Sequence, residues 1–237
     1  GPPPEDCPMT WRGAALAFLG WFVALRFSGT AAAIIFKVLP LPKALALPLA
    51  LGIHMAVGAL LLLKARGQGL RETWRAMTPG PWWKALGWTL VFLSVALVGV
   101  LTVGWITQPF LRHTTPPQQE LWDLVSGEHG GASVVALFVS MAVMAPLFEE
   151  WMFRGALLPW LGHRLQPRAP RAAWPLAIVL SGLLFGLMHL QPAALPTLCT
   201  LGMVLGWALL RTRTLWTAVI LHALWNGSVF LFIRMLA

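Results

Sequence analysis

The sequence has no tyrosine, a single asparagine, two cysteines and few charged residues. Only 11% of its 237 residues are charged, against about 25% in soluble proteins. This shortage of charge excludes a soluble globular protein. Two cysteines, Cys7 in the N-terminal tail and Cys199 in an apolar run, offer no disulfide framework and no paired metal site. Arginine outnumbers lysine 13 to 4, which together with the absence of tyrosine and the single asparagine indicates a high-GC, bacterial genome.

Long apolar stretches make up most of the chain, since 58% of the residues are hydrophobic. Charge-free windows that reach the roughly 18 residues needed for a bilayer-spanning helix cover residues 44–63, 85–111, 129–148, 172–210 and 214–233. A further apolar run covers 13–36. The window 172–210 is too long for one span, and Gln191, Pro192 and Pro196 divide it into two. The pattern predicts an all-α, polytopic membrane helix bundle of seven to eight transmembrane helices.

The basic residues are collected in the gaps between the apolar runs. They cluster in the predicted loop 64–84 and in the segments 164–171 and 211–213. The positive-inside rule assigns these segments and the N-terminus to the cytoplasmic side of the bacterial inner membrane. This spacing also excludes a nucleic-acid partner, because nucleic-acid binders gather basic residues on one soluble face. We expect residues 1–12 to be an N-terminal tail and 13–237 to be a single transmembrane helical domain. The oligomeric state is left open.

Two adjacent acids, Glu149 and Glu150, follow an apolar run of 20 residues. A charged side chain at the centre of a membrane helix costs about 2.5 to 3.5 kcal/mol on insertion scales. Glu150 and Arg154 stand at i and i+4, so a structural ion pair accounts for one carboxylate. Glu149 points about 100° away around the helix and is a candidate functional acid. The alternative is a helix end at which both acids reach headgroups and water.

Histidines supply further polar groups inside the apolar runs. His189 lies near the end of a span, four residues after Phe185, and His222 and Asn226 share one face of the last span. Asn226 is the only asparagine in the chain, which makes this pair a stronger candidate than a lone histidine. His54 has no polar neighbour at helical spacing, and we expect it to make a structural interhelical hydrogen bond.

Glycines at four-residue spacing indicate close helix contacts. Gly182 and Gly186 lie in one predicted span, and Gly202 and Gly206 lie in the next. Such pairs of small residues let two membrane helices approach each other closely. The pattern is common, and it points to no particular function.

Three segments in order resemble the EExxxR, FxxxH and HxxxN motifs of the CPBP family, the CAAX-processing and bacteriocin-processing intramembrane proteases. The segments are Glu149–Arg154, Phe185–His189 and His222–Asn226, and the family-like catalytic core covers residues 131–237. The resemblance implies an intramembrane protease, similar to type II CAAX prenyl endopeptidases, that processes a membrane-anchored protein or peptide substrate near its C-terminal anchor. The bacterial composition also fits a sorting role like that of the myxosortase subgroup.

The resemblance implies that Glu149 is the general base that activates water, assisted by His189. Whether a cofactor takes part is left open. Glu149, His189 and His222 would make a two-histidine, one-carboxylate site for a divalent metal such as zinc, with an open position for water. The ligands would come from three separate helices, and no HExxH motif is present. We therefore favour a mechanism without a metal.

The same resemblance implies that Glu150 and Arg154 orient the site. His222 and Asn226 would bind the oxyanion of the tetrahedral intermediate. For these groups to meet, the helices must be staggered or tilted, because His222 is nearer to its own helix end than the others. We expect a water-filled cavity near the middle of the bilayer.

Two aromatic residues are candidate substrate-binding residues: Phe185, within the FxxxH motif, and Trp225, next to Asn226. For both, packing is the alternative to substrate binding.

Two other functions remain open from the residues alone. Intramembrane Glu, Arg and His also mark proton-coupled transporters, although no internal repeat of the kind many transporters carry is seen. A non-catalytic membrane adaptor of the same fold is the third possibility.

Overall fold

The computed structural model describes residues 9–39, 45–77, 81–111, 125 and 131–236, and in these residues the chain is helical without β-strands. The helices are α1 (Trp11–Val38), α2 (Ala46–Arg66), α3 (Leu70–Met77), α4 (Trp83–Thr107), α5 (Gly131–Leu165), α6 (Ala173–Met188), α7 (Leu195–Thr212) and α8 (Leu215–Leu236). The predicted all-α class is confirmed.

Five helices are long and apolar enough to cross a membrane within the described part of the chain: α2, α4, α5, α7 and α8. Helix α1 makes a sixth if its two arms, which meet at an angle of 47° between Leu25 and Phe27, are counted as one span. Helix α6 is also apolar but has only 16 residues. The chain is therefore an integral membrane protein, whereas the predicted count of seven to eight spans is not confirmed.

The predicted division of the window 172–210 is confirmed. Helix α6 ends at Met188, and α7 begins at Leu195 with Pro196 in its first turn. Between them, Leu190 has a φ of 51°, a left-handed conformation that is uncommon for residues other than glycine. The polar and proline residues after Met188 thus form a tight turn that places His189 at the very end of α6.

Helix α5 accommodates two prolines without breaking. Each follows a π-helical turn, Ser140–Met144 before Pro146 and Trp151–Leu157 before Pro159. A proline ring clashes with the carbonyl four residues earlier, and the wider π turn leaves room for it. Such turns occur frequently at functional sites, and the second one begins directly after Glu150.

The segment 64–84, predicted to be a loop, contains the short helix α3. Its amphipathic sequence, with Arg71 and Glu72 exposed and Thr73 fully buried, explains why it folds against the bundle.

The structure also shows Thr10 capping α1 by accepting a hydrogen bond from the Gly13 amide at 3.0 Å.

The segments with basic residues meet at one end of the bundle. The buried carbonyl of Met9 accepts hydrogen bonds from Trp160 Nε1 and Arg164 Nη2, which joins the start of α1 to the end of α5. Thr214 Oγ1 donates to the carbonyl of Pro81 at 3.5 Å, which joins the start of α8 to the segment before α4. Helices α5 to α8 therefore present Glu149, His189 and His222 at positions between this basic end and the opposite one.

Candidate active site

An ion pair buried in α5 forms the centre of the site. Arg154 Nη1 donates to Glu150 Oε1 at 2.9 Å, and neither side chain is exposed. The predicted i, i+4 pairing is therefore confirmed. Arg154 Nη2 also donates to the carbonyl of Gly202 on α7 at 2.7 Å, and its guanidinium lies 4.6 Å from the centre of the Phe185 ring. Arg154 thus connects α5 to α6 and α7.

His222 connects the two glutamates. Its Nδ1 lies 2.8 Å from Glu150 Oε1, and its Nε2 lies 3.9 Å from Glu149 Oε2. The carboxylate of Glu150, paired with Arg154, only accepts hydrogen bonds, so Nδ1 of His222 is the donor. Sequence reasoning had grouped His222 with Asn226 and missed this contact. No spacing rule could have found it, because the two residues are 72 positions apart.

Glu149 is the acid that is not neutralised by Arg154. Its side chain is 25% exposed, unlike that of Glu150, and its Oε2 accepts no hydrogen bond from the described residues. The side chain lines a cavity of about 300 Å³, whose wall also includes His189 and His54. The structure therefore places the predicted general base and its predicted assistant on one cavity.

His189 is held by the end of its own helix. Its Nδ1 lies 2.8 Å from the carbonyl oxygen of Phe185, and because a carbonyl only accepts, Nδ1 carries the proton. Nε2 is then the basic nitrogen of the neutral ring. The next residue, Leu190, has the left-handed backbone conformation described above. Strained backbone of this kind concentrates at active sites.

A second cavity of about 340 Å³ also has His189 in its wall. It is also lined by His222, Trp225 and Asn226. Asn226 Nδ2 donates to the carbonyl of Met141 at 3.0 Å, and an amide has a second N–H available. Trp225, one of the two predicted substrate-binding residues, therefore lies where a substrate could contact it.

Phe185 does not support the predicted role in substrate binding. It is fully buried and lines neither of the two cavities. Its ring packs against His189 and His222, with ring centres 5.0 Å and 5.5 Å apart. The packing alternative is the one that this geometry favours, since Phe185 fills the space between the polar groups of three helices.

The expected interhelical hydrogen bond of His54 is absent at Nδ1, which is buried and has no partner among the described residues. The imidazole instead stacks on Trp21 at 5.1 Å between ring centres and meets Phe148 edge-on at 6.2 Å. An aromatic environment therefore replaces the polar partner that sequence reasoning expected.

The residues do not fit the zinc site considered from the sequence. Among the described residues, no three His, Cys, Asp or Glu side chains are grouped so that they could hold a metal ion. Glu149, His189 and His222 are thus not arranged as a common ligand set.

Comparison with known proteins gives two matches over the region that carries the site. Residues 131–228 match the family described as type II CAAX prenyl endopeptidase Rce1-like. The membrane-embedded CAAX protease MroQ of Staphylococcus aureus (strain USA300) is 26% identical over 150 residues, which are 63% of this chain and 57% of that protein. No solved structure matches the chain. Both matches agree with the three ordered motifs and support the assignment of residues 131–228 to the CPBP/CAAX protease family.

Proposed function

We propose that the chain is an intramembrane endopeptidase that hydrolyses a peptide bond near the membrane-anchored C-terminal region of a protein or peptide substrate. One observation carries the proposal. Of two adjacent acids inside a membrane span, one is neutralised in a buried ion pair, and the other faces a cavity shared with a histidine. The family match over the same residues supports a protease rather than a proton-coupled transporter.

In the proposed reaction Glu149 removes a proton from a water molecule in the 300 Å³ cavity. His189, with Nε2 as the basic nitrogen of its ring, lines the same cavity and assists this proton transfer. The resulting hydroxide attacks the carbonyl carbon of the scissile bond and forms a tetrahedral intermediate. When this intermediate collapses, the C–N bond breaks and the protonated Glu149 returns its proton to the leaving amine. A positioned general base of this kind typically contributes about 10² to 10⁴ in rate.

His222 and Asn226 are proposed to stabilise the oxyanion. Glu150 fixes the tautomer and orientation of His222 by accepting from Nδ1, in the way that a carboxylate orients a catalytic histidine. Nε2 then faces Glu149, and when protonated it donates a hydrogen bond to the negative charge that develops beside this acid. The second N–H of Asn226 is the other donor proposed for the oxyanion.

The sharpest test of the mechanism is Glu149→Gln, which keeps the size of the side chain and removes its basicity. We expect cleavage to fall by about 10² to 10⁴ while the protein stays folded. Substrates would be identified by mass spectrometry of membrane-protein C-termini in vesicles with and without the enzyme. The matched control is Glu72→Gln in α3, an exposed acid outside the site.

Two results would contradict the proposal. Undiminished cleavage by Glu149→Gln would show that this acid is not the base. If neither the wild type nor Glu149→Gln generates a new C-terminus, yet both still bind membrane proteins, the chain is the non-catalytic adaptor considered above.

We also propose that the basic end of the bundle and the N-terminus face the cytoplasm of a bacterial inner membrane, because Arg and Lys are retained there. In a Cys7→Ser background, Gln166→Cys marks the basic end, and Met235→Cys, 84% exposed, marks the opposite end. An impermeant maleimide should label Met235→Cys in intact spheroplasts and Gln166→Cys only after permeabilisation. The reverse pattern would invert the topology.

A further inference from the structure

The cavity beside Glu149 is lined on one side by helices α1 and α2, which lie outside the matched region 131–228. We call it the α1–α2 chamber. Its wall includes Trp21 from α1, Leu51 and His54 from α2, Phe148 and Glu149 from α5, and His189 after α6. At about 300 Å³ it stands at the lower end of the range for ligand pockets, about 300 to 1,000 Å³.

The chamber is apolar except for Glu149 and the two histidines. Trp21 and His54 stack at an interplanar angle of 18°, and the Trp21 ring also meets Phe148 edge-on at 5.8 Å between centres. The Trp21 and His54 side chains are almost completely buried, and Trp21 Nε1 and His54 Nδ1 have no hydrogen-bond partner among the described residues.

Gly58 is required for this arrangement of rings. A Cβ atom at position 58 would lie 2.7 Å from Trp21 Cδ1 and 3.0 Å from Phe148 Cζ. By contrast, a Cβ at Gly52, earlier in the same helix, would meet nothing within 4 Å. Gly58 therefore lets Trp21 and Phe148 take their positions in the aromatic wall of the chamber. Gly52 provides a control for the same glycine-to-alanine substitution.

We infer that the α1–α2 chamber is the specificity pocket for an apolar side chain next to the scissile bond of the substrate, an inference that rests on the proposed function. A peptide whose carbonyl lies beside Glu149 must direct a neighbouring side chain into space close to this acid. The chamber is such a space, and its aliphatic and aromatic lining suits an apolar group. The polar groups of the other cavity, His222 and Asn226, suit the peptide backbone.

The test measures selectivity rather than overall rate. Single-span reporter proteins carry the cleaved segment identified by mass spectrometry, with Ala, Leu or Phe at each position flanking the scissile bond. Leu51→Trp should fill the chamber. At one of the flanking positions, it should lower kcat/KM for the Phe reporter by at least about tenfold relative to the Ala reporter. This size is expected because a single methylene in an apolar pocket changes selectivity by about 10 to 200-fold. His54→Ala should enlarge the chamber and shift the preference toward Phe.

Gly58→Ala displaces Trp21 and Phe148, and should change the same selectivity, whereas Gly52→Ala should leave it as in the wild type. The opposite shifts expected for Leu51→Trp and His54→Ala separate a pocket from general damage to the fold. Equal effects of these variants on all reporters would overturn the inference, because a lipid in the chamber or loss of folding would act in this way. If the wild type cleaves no reporter, the proposed function fails as well.

Discussion

The N-terminal helices α1 and α2 and the motif-bearing helices α5 to α8 are held together in different ways. Helices α1 and α2 pack along each other mainly through apolar side chains, and many of their outer residues are exposed. In α5 to α8, charged and polar side chains connect one helix to the next, as Arg154 does between Glu150 and the Gly202 carbonyl. Lipid is as apolar as a leucine side chain, so specific polar contacts and close packing should determine stability in this second region.

Arg154→Leu should have the largest effect of the substitutions considered on the polar contacts that hold α5 to α8 together. It leaves Glu150 buried without its cation, and removal of one member of a buried ion pair typically costs about 3 to 5 kcal/mol. We expect a large fall in the thermal unfolding midpoint of the detergent-solubilised protein, measured by circular dichroism. His222, which donates to the same carboxylate, should lose its fixed orientation, so cleavage should fall too.

The control is Arg211→Leu, the same substitution at an exposed arginine at the end of α7 that lies over the Trp88 ring at 4.8 Å. Cation–π contacts at exposed sites contribute only about 0.5 to 1 kcal/mol. If the two variants unfold at the same temperature, the buried pair does not stabilise the second region more than a surface contact does.

The polar residues of α5 to α8 could be identified from the sequence because they are out of place in apolar runs. The pairing of Glu150 with Arg154 follows from helical spacing alone, and both residues lie on one helix. The turn between α6 and α7 was also predictable, since Gln191 and Pro192 interrupt the apolar window. Local rules of this kind depend only on residues that are neighbours in the chain.

The contacts between distant helices could not be predicted in this way. The bridge from His222 to both glutamates depends on how α8 lies against α5, and the burial of Phe185 depends on three helices at once. The aromatic setting of His54 likewise required α1, α2 and α5 together. The short helix α3 was missed because its polar residues obscured an amphipathic helix in a segment predicted to be a loop.

Glycines at helix contacts allow a finer comparison of the two regions. A Cβ at Gly202 would lie 2.9 Å from the Gly182 Cα, part of the backbone, whereas a Cβ at Gly20 would lie 2.6 Å from Leu61 Cδ1, the end of a flexible side chain. Backbone atoms cannot move aside without separating α6 from α7, so Gly202→Ala should cost about 1 to 3 kcal/mol as overpacked cores do. Leu61 can change rotamer, and alanine favours a helix over glycine by up to about 1 kcal/mol, so Gly20→Ala should be nearly neutral. Unfolding midpoints of the two variants in the same detergent measure the difference, and equal losses would show that α1 and α2 are packed as rigidly as the motif-bearing helices.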